Sequence, residues 1–291
     1  RAQGNAECAG GSMKTTQLLA RQCLSLLSSV WFLSNLLIWL TALLMLTPFK
    51  LVPHKGFQTR CVDPLAEHIY RAAVVTNSFW MKRVVGIRLE ITGTPTGHIN
   101  PIVVCNHQSW FDIPLVQELI TAQGPIVRFL VKRELVWVPI IGWICLVLNF
   151  PRLRRSGSKT DRAEDYKAIT RAVQSSDVMP GALLIFAEGT RFTPSKQIDQ
   201  ASPYPNLLRP KVGGFRILLD HAAPDQPVLD VSIAYLSGNS HFWHCLHGGA
   251  PVIKIKVDVY RAGDIADIEA WLRARWSEKS QWLLSEVQQV P

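Results

Sequence analysis

The chain is predicted to fold as an α/β domain, a mixed sheet flanked by helices, behind an N-terminal membrane helix or helical hairpin. Three observations predict it. Short β-branched runs alternate with helix-period segments after residue 85. Residues 22–49 carry no charge at all. The composition, 48% hydrophobic in 291 residues, suits a core-forming chain and not a disordered one. Three divisions follow: 1–12, 13–53 and 54–291.

Residues 1–12, RAQGNAECAGGS, are small, polar and patternless. Met13 then opens a helix-like apolar segment, so 1–12 reads as non-native or upstream leader sequence. Residues 13–53 read as a membrane anchor. As a helix, the charge-free run would be roughly 40 Å long, enough to cross a hydrocarbon core with tilt. It is too long for the apolar region of a signal peptide, and no small-residue cleavage site closes it. Ser34-Asn35 interrupts its middle, which leaves open a hairpin of two short helices dipping into one leaflet. Positive charge on both flanks (Lys14 and Arg21 before, Lys50, Lys55 and Arg60 after) favours that hairpin mildly.

Residues 54–85 read as an amphipathic helix whose apolar face holds Leu65, Ile69, Ala72 and Ala73. VGIRLEITG, residues 85–93, alternates as a strand does. PIVVCNH is a second strand, followed by helix from Pro114. Residues 135–151 are apolar but broken by Pro139 and Gly142, so they read as a buried helix or membrane-apposed segment. DRAEDYKAITRAV, residues 161–173, is an amphipathic helix opening on a good cap. GALLIFAEG is a buried strand ending in glycine. GGFRILLDHA reads as helix, QPVLDVSIAYL and VIKIKVDVY as strands. DIADIEAWLRARWSEKSQWLLSEV closes the chain as a helix.

The net charge is +9, the isoelectric point about 9.4, and the mean hydropathy is positive. That combination fits an anionic membrane surface or a bound polyanion. The Lys and Arg are scattered and no helix is basic throughout, which argues against nucleic acid. Six cysteines form no CxxC pair, so they read as reduced thiols, neither a disulfide framework nor a zinc site.

Four stretches could carry chemistry. In PIVVCNHQSWFD, a strand stops at His107 and Asp112 follows five residues later. On one regular helix these two would sit roughly 140° apart. A strand end followed by a tight turn into a helix could bring them together as a base and its orienting carboxylate. The bland alternative is Asp112 as helix cap and His107 as a polar strand end; spacing alone does not decide. FAEGTRF delivers Glu188, Gly189, Thr190 and Arg191 to a strand end, where ligand sites in α/β sheets gather. Arg191 offers a fork suited to phosphate, and a salt-bridged turn is the alternative. NFPRLRRSGSK sets Arg152, Arg154, Arg155 and Lys159 directly after an apolar segment, at the depth of a lipid phosphate or as a solvated flank. LLRPKVGGF carries Lys211 and a glycine pair before a helix, a weak anion-cradle signal. HFWHCLHGG superficially resembles a metal site, but it lacks companion ligands and its Phe242-Trp243 pair suggests an interfacial loop.

Taken in order, these blocks resemble the glycerophospholipid acyltransferase family, of the lysophosphatidate acyltransferase type. NHQSWFD is similar to its first block, a histidine with aspartate five on. NFPRLRR stands where the second block, ending in arginine, is expected. FAEGTR matches the third, and QPVLDVSIAY is placed like the fourth. NHQSW, LLRPKVGGF and the FW pair look like the branch of lysocardiolipin acyltransferases and their bacterial relatives. The second and fourth blocks depart from the commonest form.

The resemblance implies acyl transfer from acyl-CoA or acyl-carrier protein to a lysophospholipid hydroxyl, with 1-acylglycerol-3-phosphate the leading acceptor and phosphatidate the product. Lysophosphatidylglycerol, lysocardiolipin, or a non-catalytic membrane protein of the same fold are the alternatives. It implies no metal and no bound cofactor. His107 would be the base and Asp112 its partner. Arg154 in preference to Arg155, with Glu188, Gly189, Thr190, Arg191 and Lys211, would form the phosphate-binding group, with Glu188 positioning its loop. Pro227 would belong to an acyl-donor or structural block. The implied partners are the lysophospholipid, the acyl donor and the bilayer, with no nucleic acid. The implied place is a bacterial cytoplasmic membrane, with residues 54–291, the acyltransferase domain, facing the cytoplasm.

Overall fold

A computed structural model describes residues 2–50, 52, 54–132, 137, 142, 148, 150, 152–153, 181–237 and 239–288. Arg154, Arg155, the expected helix at 161–173 and most of the apolar run at 135–151 lie outside the described residues. The principal helices are α1 (Ala2–Met45), α2 (Asp63–Phe79), α3 (Asp112–Thr121), α4 (Pro194–Asp199), α5 (Val212–Asp220) and α6 (Ile268–Gln288). The strands β1 (Arg88–Gly93), β2 (Ile102–Cys105), β3 (Ile126–Phe129), β4 (Gly181–Phe186), β5 (Pro227–Tyr235) and β6 (Val252–Arg261) form one sheet, in the order β1-β6-β5-β2-β4-β3. Val131–Lys132 and Arg152–Leu153 pair separately.

The sheet is mixed, as predicted. β2 runs parallel to both β4 and β5, β3 runs parallel to β4, and β6 is antiparallel to β5. β2 is buried along its whole length, and β4 and β5 nearly so, as parallel strands covered on both faces must be. The alternation of side chains builds two cores. Val103, Cys105, Leu184 and Val231 meet Phe111, Leu115 and Leu119 of the α3 segment. Ile102, Val104, Leu183 and Ile185 share the opposite core with Phe215, Leu218 and Trp276 of α5 and α6. β3 was not foreseen; its four residues follow Gly124-Pro125 and are too few to show a period.

Two connections place the site. β2 leads through α3 to β3 on one side, while β4 leads through α4 and α5 to β5 on the other. β2 and β4 are neighbours, so their onward chains part above their carboxyl ends. Such a switch point leaves a crevice where α/β sheets bind ligands.

α1 is one continuous helix through Ser34-Asn35, which corrects the hairpin expectation. The polar residues that suggested a turn are docking contacts. Asn35 Nδ2 donates to the Ala73 carbonyl on α2 at 3.0 Å. Ser25 and Ser28 hydroxyls donate to the Trp243 and Leu246 carbonyls, both at 2.9 Å. Trp31 stacks on Trp80 at 4.3 Å. The opposite stripe of α1, including Leu26, Leu27, Val30, Leu33, Leu37 and Ile38, stays exposed. Thr15–Phe49 is long and apolar enough to cross a membrane.

α2 also corrects its expected face. The buried stripe is Ala66, Tyr70, Val74 and Ser78, spaced by four, whereas Leu65 is 49% exposed. The packing partners select that stripe: Tyr70 donates its hydroxyl to the Val127 carbonyl of β3 at 2.9 Å, and α1 covers the rest.

Candidate active site

β2 ends at Cys105, but its pairing continues through a side chain. Asn106 Nδ2 donates to the Ile233 carbonyl at 3.0 Å, and its Oδ1 accepts from the Ile233 N–H at 2.9 Å. This amide acts as one more rung to β5 and fixes where the backbone leaves the sheet. His107 follows, at the crevice.

The backbone of His107 is then held by Glu188, from the end of β4. Glu188 Oε1 accepts from the His107 N–H at 3.1 Å, and Oε2 accepts from the Leu208 N–H at 3.0 Å. The residue is fully buried. Burial pushes its carboxyl up to about 8, against the pull of those two N–H groups. Of the two roles expected of Glu188, a place in the phosphate-binding group and positioning of the loop, the geometry suits the second: both oxygens accept backbone N–H groups and the residue is buried. Glu188 clasps two strand ends and the 207–208 segment, and so positions the loop.

Glu188→Gln is expected to lower the melting temperature by several degrees, because the new NH2 group faces a buried N–H donor and leaves it unsatisfied, at about 1–3 kcal/mol. The pH dependence supplies a second reading. A carboxyl raised from 4.5 to about 8 contributes stability that is complete below 4.5 and lost as pH rises through about 8. Thermal unfolding against pH should show that slope in the natural protein and its loss in the variant.

His107 turns Nδ1 toward Asp112, with 2.8 Å between Nδ1 and Oδ2. A carboxylate only accepts, so the neutral ring carries its proton on Nδ1 and offers Nε2 as the base. Asp112 Oδ2 also accepts from the Gln108 and Ser109 N–H groups at 2.7 and 2.8 Å. Oδ1 accepts from the Tyr235 hydroxyl at 2.6 Å. The cap alternative for Asp112 fails: its carboxylate points back at the turn, and α3 begins with no side-chain cap. The His107 ring stacks on Phe186 at 4.0 Å and meets the edge of Trp110 at 6.4 Å.

The FAEGTR turn lies over this pair. Gly189 takes φ +72°, the left-handed region that a side chain would strain. Phe192 donates its N–H to the His107 carbonyl at 2.7 Å. The Arg191 guanidinium sits 4.4 Å from the Trp110 ring centroid. Lys196, which the sequence reading passed over, donates to Thr190 Oγ1 at 2.9 Å and to the Arg191 carbonyl at 3.0 Å. Lys211 donates its N–H to the Ala187 carbonyl at 2.7 Å, and its side chain is exposed at the start of α5. Gly189, Thr190 and Arg191 follow Glu188 on the turn bonded to His107, and the Lys211 backbone joins the same strand end.

Pro227 does not. It opens β5, where Ile102 of β2 pairs with Val228 and Cys105 with Val231. His107 lies past the other end of these strands, on the order of 20 Å away. Of the two roles expected of Pro227, acyl-donor or structural block, this placement fits the structural one; the strand reaches the site through Tyr235. A cleft of about 760 Å³ at the Pro227 end, lined also by Asn100, Tyr260 and Arg261, contains neither member of the pair. In the histidine-rich stretch, His244 Nε2 lies 2.8 Å from the Gly249 carbonyl and Trp243 Nε1 donates to Gln22 on α1 at 2.7 Å. That stretch docks α1.

A buried His–Asp pair at a sheet switch point, with an arginine over the neighbouring Trp110 ring, is an arrangement able to serve base-assisted chemistry on an α/β fold. The acyltransferase family model matches residues 88–230, which include His107, Asp112, Glu188 and Arg191. A 1-acyl-sn-glycerol-3-phosphate acyltransferase of Cocos nucifera is 32% identical over 108 residues, 37% of this chain and 33% of its own. The 1-acyl-sn-glycerol-3-phosphate acyltransferase 2 of Arabidopsis thaliana is 26% identical over 262 residues, 78% of this chain and 66% of its own. The chain therefore spans less than two thirds of either relative. The crystal structure of the 1-acyl-sn-glycerophosphate (LPA) acyltransferase PlsC from Thermotoga maritima shares the fold, with a TM-score of 0.54 at 20% identity over 91% of this chain and 98% of that one.

Proposed function

We propose that the protein transfers a fatty acyl group from acyl-CoA or acyl-carrier protein to the hydroxyl of 1-acylglycerol-3-phosphate, forming phosphatidate at a membrane surface. The observation that carries this reading is the His107–Asp112 pair, held at 2.8 Å beside a strand end that also delivers Arg191. His107 Nε2 takes the proton of the acceptor hydroxyl as its oxygen attacks the thioester carbonyl. The tetrahedral intermediate collapses, the C–S bond breaks, and the imidazolium returns the proton to the leaving thiolate. Asp112 stabilises the imidazolium in between, as in a Ser-His-Asp triad whose hydroxyl comes from the substrate. No metal or bound cofactor enters these steps.

Arg191 pairs with the acceptor phosphate in this reading, with Lys211 nearby and Arg154 following the apolar segment. The exposed stripe of α1 lies in the bilayer and keeps the lipid acceptor within reach. The net charge of +9 suits an anionic leaflet. The domain faces the cytoplasm, where both kinds of acyl thioester are found; a bacterial cytoplasmic membrane is the proposed setting.

The test is transfer of labelled acyl-CoA on membranes to lysophosphatidate, lysophosphatidylglycerol and lysocardiolipin. Labelled phosphatidate is expected. Turnover confined to another lysolipid would reassign the acceptor, and none with any acceptor or donor would favour a non-catalytic membrane protein. Arg191→Ala should raise the acceptor KM roughly tenfold or more, the worth of a charge-assisted pair, with little change in the donor KM. Equal changes in both would remove the phosphate role.

A further inference from the structure

We propose that Tyr235 is a positioning residue of this site, holding Asp112, and through it His107, in the arrangement that accepts the proton. The inference rests on the acyl-transfer reading and adds a residue to it. Four donors converge on the Asp112 carboxylate. Three of them, His107 Nδ1, Gln108 N–H and Ser109 N–H, all reach Oδ2 and belong to the same turn as the aspartate. Their backbone is held at the strand ends through Asn106 and Glu188, but none of the three reaches Oδ1. The fourth, the Tyr235 hydroxyl, reaches Oδ1 at 2.6 Å from a position 123 residues away.

Tyr235 is itself fixed. It is 2% exposed, shares the core with Phe111 and Leu115, and pairs with Ile253 in the ladder between β5 and β6. Two residues earlier, Ile233 is tied to Asn106 next to His107. The phenol is therefore referenced to the same strand end that presents the histidine. Burial and the adjacent Asp112 carboxylate raise its titration well above the ordinary range, so it remains a donor. Without the hydroxyl, Oδ1 would be a fully buried carboxylate oxygen with its donor removed. The carboxylate would then carry more of its charge toward His107 and be freer to rotate.

Tyr235→Phe in the full-length, membrane-bound protein removes one oxygen and keeps the ring. kcat for acyl transfer should fall roughly ten- to a hundredfold, the worth of a hydrogen bond to a charged group, while both KM values hold. The acidic limb of the kcat/KM profile should move to higher pH, because a less shared Asp112 charge favours the imidazolium. Among the described residues, the other titratable or charged groups around the pair include Arg191 over Trp110, Glu188 at the end of β4, Cys105 on β2, Cys245 after β5, and the paired Asp230 on β5 and Lys279 on α6. All are retained in the variant.

The pH midpoint for modification of His107 by diethyl pyrocarbonate, followed by peptide mass, reads the same arrangement without turnover. It too should move upward. Unchanged kcat with an unchanged midpoint would overturn the proposal. So would a loss of kcat with both KM values raised, a lower melting temperature and a fixed midpoint, which is the signature of a packing role. If the natural protein transfers no acyl group but the midpoint moves, the acyl-transfer reading fails while the Tyr235 linkage stands.

Discussion

His107→Ala is expected to lower acyl transfer by about 10²–10⁴-fold, the usual contribution of a general base, in a protein that stays folded and membrane-bound. Among the described residues, this ring supplies the imidazole nitrogen that Asp112 orients. Removing it takes away the proton acceptor at the attacking oxygen, so the loss should fall on kcat. The fold should tolerate the change, because Asp112 keeps the Gln108, Ser109 and Tyr235 donors, and Glu188 holds the backbone N–H of residue 107 and not its ring. The gap left beside Phe186 opens onto the crevice, where water can enter. Initial rates with labelled acyl-CoA and a melting curve on the same preparation check both halves. A natural rate in the variant would show that another group is the base.

The parts of the site legible in the sequence are those that lie close together along the chain. PIVVCNHQSWFD showed a strand stop, a base and a carboxylate, and the turn that unites them spans only residues 107–112. FAEGTR was legible because a glycine and three polar residues interrupt a buried strand. Tyr235 was hidden. In QPVLDVSIAYL it looks like any large residue closing a strand, and its partner is 123 residues away. Pro227 entered instead through the resemblance of QPVLDVSIAY to a family block, yet it occupies the first strand position, where a missing N–H costs little.

Ser34-Asn35 misled for a related reason. Polar residues inside an apolar helix mark either a turn or a docking face, and only the Ala73 carbonyl opposite Asn35 decides which. In α2, apolar residues occur on more than one side. Leu65 and Ala66 are equally plausible from periodicity, and the contact with α1 and β3 selects Ala66.

Asp112→Asn should cost acyl transfer about 10²-fold, less than the ~10⁴-fold that follows when such a change leaves a triad histidine in the wrong tautomer. The difference comes from the donors. An asparagine can place its carbonyl oxygen at the Oδ2 or the Oδ1 position. At Oδ2 that oxygen meets His107 Nδ1–H and two backbone N–H groups, 2.7–2.8 Å away. The NH2 group then lies toward Tyr235, whose hydroxyl can rotate to accept from it. The reverse orientation would aim NH2 at two backbone donors and leave them buried without acceptors. The amide is thus locked the favourable way round, and His107 keeps its proton on Nδ1 and its lone pair on Nε2. What is lost is the negative charge that stabilises the imidazolium, so kcat should fall and the acidic limb of the kcat/KM profile should move to lower pH. That is the opposite direction to the shift expected for Tyr235→Phe. A full 10⁴-fold loss with no movement of the limb would show that the tautomer had changed and that the convergent donors do not hold the amide.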